Sequence, residues 1–247
     1  MPLTHTTKAI ILKAVHYGDT SLIVTALTEL FGIQTYIIKG VRQGTKTKAA
    51  KANFFQPAAL LEMVVYHNPL KQLNFVKEYK WAYLYQQIYS SVIKNAIALY
   101  TVELLQKCVK QPDENPELFY FVEDVLLAID TAKGNVTANL PLYIALQLPN
   151  LFGIQLIDNY NNTNNLLDLK DGCFTNVLPL HSYAVVEPHC GLISQYLKAI
   201  HPNDLESITL NGSHRKLLLG YIEIFYQLHI TDFGKIKSLA ILSEILA

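Results

Sequence analysis

Charge is scarce in this sequence. Only 16% of its 247 residues are Asp, Glu, Lys or Arg, against about 25% in a typical soluble domain. Acids and bases number 20 each, so the formal net charge is zero, which on its face disfavours a polyanionic partner. Disorder is excluded, because hydrophobic residues reach 51% and can offset the entropy of ordering. Cysteine is also scarce. Cys108, Cys173 and Cys190 are odd in number, widely spaced and form no CxxC pair. That excludes a disulfide framework and indicates reduced thiols in a cytoplasmic protein. The N-terminal residues Met1–Lys8 lack a basic segment followed by an apolar one, so no signal peptide is expected. The longest stretch without an ionisable acid or base, 134–157, is interrupted by Asn135, Asn139, Pro141, Pro149 and Asn150. It reads as buried helix and not as a membrane span. No internal repeat is visible.

What charge there is lies unevenly. Residues 1–80 carry ten Lys or Arg and only Asp19, Glu29, Glu62 and Glu78, a net of +6 that residues 81–247 cancel with −6. A basic portion beside an acidic one points to polyanion binding by the former. Its densest segment holds Lys39, Arg42, Lys46, Lys48 and Lys51 without an acid, and Gly40 and Gly44 mark it as a loop. A solvated loop is one reading and a phosphate-gripping arm the other. It is not a P-loop, since Gly40 and Gly44 are wrongly spaced and Lys46 follows Thr45. Tyr36, Phe54 and Phe55 flank the loop and are candidates for stacking on bases, with core packing as the alternative. Lys8, Lys13, Lys71 and Lys77 are candidates to extend the basic surface.

Strand patterns fill the first eighty residues. Ala9–Val15, Ser21–Leu27, Ile33–Ile38, Phe54–His67 and Leu73–Tyr79 are short apolar runs separated by turn chemistry such as Tyr17-Gly18-Asp19. About five strands in this span predict a small barrel or sandwich. From Trp81 the period becomes helical. Helices are predicted over 81–109, 117–133, 140–152, 191–200, 213–229 and 235–245, with Ser213 as an N-cap. Residues 158–190 are expected to form an irregular insert. The expected class is therefore α+β in two domains: a β domain over 1–80 and an α-helical domain over 81–247.

Several segments resemble one known family. Thr7–Leu12 with Tyr17-Gly18-Asp19, Ile23-Val24-Thr25 leading to Thr28-Glu29 and Gly32, and Ile37–Arg42 are similar to the opening of the RecO family of bacterial recombination mediators. Tyr226, His229, Phe233, Ile236–Leu239 and Leu242 are similar to its C-terminal helices. The resemblance implies an OB-fold followed by a helical domain. It implies binding of single- and double-stranded DNA, strand annealing, and work with RecR and single-stranded-DNA-binding protein to place RecA on DNA. Members often carry a zinc module of two CxxC pairs in the insert. Here that region offers only Cys173, His181, His189 and Cys190, whose spacing fits a tetrahedral site poorly, so no metal or other cofactor is expected. No catalytic constellation is found, and a non-enzymatic role is expected. Arg215, Lys216, Lys235 and Lys237 are weak candidates for a cationic rim that docks an acidic partner tail. A protein-interaction adaptor, with the barrel serving a partner and not DNA, is the competing reading.

Overall fold

A computed structural model describes residues 4–41, 53–109 and 113–246. It divides into two compact units, residues 1–86 with 109–127, and residues 87–108 with 128–247. The split differs from the expected one because a later segment returns to the first unit.

The first unit is a closed barrel of five strands in the order β1-β2-β3-β5-β4, of OB-like form. These are β1 (Thr4–Tyr17), β2 (Ser21–Thr28), β3 (Gly32–Ile38), β4 (Leu60–Tyr66) and β5 (Asn74–Tyr83). The long β1 pairs antiparallel with both β2 and β4, and a bulge at Leu12 lets one strand serve both neighbours. Gly18 takes φ +57° in the β1–β2 turn. In the β2–β3 turn the Thr28 hydroxyl accepts from the Phe31 amide at 3.1 Å and donates to the Gly32 carbonyl at 2.8 Å. That is the physical content of the Thr-Glu-x-x-Gly pattern. Ala9, Ile11, Val24, Tyr36, Leu61, Met63 and Val65 fill the interior. Strand β5 runs on through Trp81 and Tyr83, paired with Leu61 and Leu60, so the first predicted helix starts eleven residues later than expected.

Residues 109–127 bring most of helix α2 (Pro116–Thr131) into this unit. Glu123 is buried and accepts twice from the Lys8 ammonium, at 2.8 and 3.1 Å. The Tyr120 hydroxyl donates to Glu29.

The second unit contains α1 (Val92–Cys108), α3 (Gly134–Gln147), α4 (His189–Lys198), α5 (Gly212–His229) and α6 (Lys237–Ile245). The insert is not irregular: β6 (Leu166–Asp168), β7 (Cys173–Thr175) and β8 (Ala184–Val185) form a small sheet in the order β7-β6-β8. Asn211, and not Ser213, caps α5, accepting from the His214 amide at 2.9 Å. Asn139 of α3 is buried at the unit's centre. Its amide donates to the Leu205 and Ile208 carbonyls at 3.1 and 2.8 Å, and its carbonyl accepts from the Tyr196 hydroxyl at 2.8 Å. Among the described residues no helix is long and apolar enough to cross a membrane.

Replacing Asn139 by Leu strands two carbonyls and a hydroxyl away from water. The variant should lose roughly 2–4 kcal/mol of stability in urea unfolding. A loss below about 1 kcal/mol would show that the network is not what holds α3.

Candidate nucleic-acid interface

The barrel closes through a short seam. Strands β3 and β5 run parallel and share two residue pairs, Tyr36 with Asn74 and Ile37 with Phe75. Among the described residues no pairs form beyond them, and a groove of about 580 Å³ opens there, walled by the end of β3, the β4–β5 loop and the start of β5. Three cations line it, Lys39, Lys71 and Lys77, with Tyr66, Phe75 and Tyr79 among the apolar surfaces.

Each position has a local cause. Alternation along β3 sends Tyr36 inward and Ile37 to the outer face, and Lys39 follows Ile37 on that face. Phe75, the register partner of Ile37, likewise points out and is 41% exposed. The Lys39 ammonium sits over its ring, 5.1 Å from the centroid. Lys77 is an extra residue in β5, because Val64 pairs with Glu78 while Val65 pairs with Val76. The bulge turns Lys77 outward and restores Tyr79 to the core side. Lys77 also lies 3.4 Å from Glu78. Lys71 is held by a loop stapled to Asn74, whose side chain accepts from the Asn68 amide at 3.0 Å and donates to the Lys71 carbonyl at 3.4 Å. His67, at the groove wall, stacks on Phe31 at 3.8 Å. Burial, and next the neighbouring His5, lower its pKa and so favour the neutral ring.

The sequence-predicted residues fare differently. Lys39 lies in the groove, joined there by Lys71 and Lys77. Lys8 does not extend it, being held by Glu123. Arg42, Lys46, Lys48 and Lys51 lie outside the described residues. Tyr36 is corrected: its ring is fully buried in the barrel, so it offers no face to a base. Phe55 is buried too, and Phe54 is half-buried, stacked on Trp81 at 4.5 Å with its edge toward Tyr79. Phe75 was missed. The signal available was an aromatic within a strand already read at 73–79, but its face depends on register with β3.

In the second unit Arg215 is also corrected. It is buried, and its guanidinium donates to the Leu246 and Leu210 carbonyls at 3.0 and 2.8 Å. It ties the chain end to α5 and is not part of a free rim. Lys216, Lys235 and Lys237 are exposed. In the insert, Cys190 is buried and its thiol donates to the Val185 carbonyl at 2.9 Å. His181 lies 3.3 Å from Asp168 and accepts from the Tyr183 amide. His189 faces His214 and Tyr221 edge-on. His229 donates to the Leu169 carbonyl at 2.9 Å. Among the described residues no three His, Cys, Asp or Glu side chains converge as a metal-binding group.

A closed five-stranded barrel of OB-like form leading into a helical unit is the class that the fold defines. Residues 1–85 match the family model described as Recombination protein O N terminal, and residues 89–240 match Recombination protein O C terminal. The chain is 31% identical over 239 residues to the DNA repair protein RecO of Christiangramia forsetii, covering 97% of this chain and 98% of the relative. It is 31% identical over 241 residues to the DNA repair protein RecO of Bacteroides fragilis, with the same coverage. The corresponding protein of Flavobacterium johnsoniae is 28% identical over 243 residues, covering 97% of this chain and 98% of that one. The chain belongs to the RecO family of DNA repair proteins.

Thiol reactivity offers a check on the insert. Burial pushes the Cys190 thiol up to about 11, so little thiolate exists at pH 8. A disulfide reagent at that pH should leave Cys190 unmodified in the native protein and react with the half-exposed Cys173 first. Simultaneous modification of both would contradict the buried placement.

Proposed function

We propose that this protein binds single- and double-stranded DNA through its barrel and anneals complementary strands. Together with RecR, it helps to place RecA on DNA coated by single-stranded-DNA-binding protein. The convergence of Lys39, Lys71 and Lys77 on one groove carries this reading. Family membership and the basic character of residues 1–80 support it. Lysines around such a groove hold phosphates without reading sequence, which suits a protein that acts wherever DNA is broken or gapped. Arg42, Lys46, Lys48 and Lys51 add phosphate contacts.

Annealing needs strands held close with their charge neutralised and their bases free to pair; no bond is made or broken. The proposed role is accordingly non-enzymatic and cytoplasmic, without a cofactor. Residues 81–247, with their net negative charge, are the proposed side for protein partners. Within them Lys216, Lys235 and Lys237 are the remaining candidates for meeting the acidic tail of single-stranded-DNA-binding protein.

Three groove lysines predict a log–log salt slope of about −2 on single strands, at about −0.7 per contact. Replacing Lys39, Lys71 and Lys77 by Glu should flatten that slope and weaken binding by more than about tenfold. The same reversal at Lys46, Lys48 and Lys51 should abolish strand annealing, measured with and without single-stranded-DNA-binding protein. Binding and annealing unchanged in both variants would favour the adaptor, whose barrel serves a protein partner.

A further inference from the structure

We propose that Phe75 is a platform for one unpaired base, capped in the free protein by Lys39, and that this pair makes the groove distinguish single strands from duplex. The inference rests on the DNA-binding reading above and adds to it the class of strand that the groove prefers.

Three observations carry it. First, Phe75 stands out from a strand whose neighbours Asn74 and Val76 are turned in, and it is exposed at the open seam of the barrel. Its outward position is enforced twice, by register with Ile37 and by the bulge at Lys77. At 41% exposure the residue keeps much of its surface open to solvent, so core packing alone does not account for the residue type. Second, among the described residues the Lys39 ammonium is the charged group placed over its face, at 5.1 Å. That contact is weak at an exposed site and is easily exchanged. Third, the groove around the ring, about 580 Å³, falls within the size range of small-molecule sites and is also lined by Lys71 and Lys77.

A flat base that enters the groove takes the place of the ammonium on the Phe75 ring. The displaced ammonium stays within its own side-chain reach of the groove, where the entering nucleotide brings a phosphate. One cation is thereby exchanged from ring to phosphate as one base is stacked. Duplex DNA cannot make this exchange, because its base faces are covered by their neighbours and exposing one requires flipping it out. Duplex therefore engages the lysines alone. Stacking is insensitive to base identity, so the preference is for unpaired strands and not for a sequence.

The test compares a short oligothymidylate with a duplex of equal length, binding to the full chain at one salt concentration. Phe75→Ala should weaken oligothymidylate binding by about fivefold to a hundredfold, the loss expected for one stacked base. Duplex binding should change less than about twofold. Phe75→Tyr should restore the single-strand affinity. Lys71→Glu with Lys77→Glu should weaken both ligands. Should Phe75→Ala be poorly folded by circular dichroism, Phe75→Trp gives a second measure: its added fluorescence should be quenched by oligothymidylate and not by duplex. Equal losses on both ligands, or none on either, while the lysine variants weaken both, would overturn the platform and leave DNA binding standing. No effect of the lysine variants on either ligand would instead remove the groove reading itself.

Discussion

A barrel of five strands closes only if every strand meets two neighbours, and here the contact between β3 and β5 is parallel and two residue pairs long. Every other strand pair in the barrel is antiparallel and extends over seven or more residue pairs. The seam is thus the place where the hydrogen-bonded wall gives out, and the chain meets the shortfall with side chains. Asn74 staples the β4–β5 loop, a bulge re-aims Lys77, and Lys39 lies across Phe75. The groove follows from the shortness of this seam. What makes it a polyanion surface is the residue types that line it.

Much of the barrel was legible in the sequence, because alternation and glycine turns are local. The strands at 9–15, 21–27 and 33–38 lie inside β1, β2 and β3. The overrun at Trp81 has a physical cause. Tyr79, Trp81 and Tyr83 alternate as a strand should, yet Leu84 and Ile88 fit a helical spacing equally well. Pairing with β4, a contact far along the chain, decides in favour of the strand. The small sheet of the insert escaped because strands of two or three residues show no period.

The candidate site was legible only in its charge. That residues 1–80 are basic is a matter of composition, and the structure gathers three of those lysines in one groove. Which face a residue takes is not composition. Tyr36 and Phe75 are both strand aromatics near basic residues, and one register step separates core from surface. Lys8 and Arg215 make the same point for charge, since each is committed to an acceptor remote in sequence or at the chain end. A sequence displays cations but not the acceptors that already hold them.

The return of residues 109–127 to the barrel unit bears on the order of events during synthesis. The strands of residues 4–83 are complete before α1 is made, yet the carboxylate that holds Lys8 belongs to Glu123. On a ribosome the chain emerges from its N-terminus, so the barrel strands and then α1 are made before α2 is available to cover the barrel. During that interval α1 is ahead of the remaining helices of its own unit. The two units are interleaved in the order of synthesis: α1 of the second is made before the first is complete, and the rest of the second follows it.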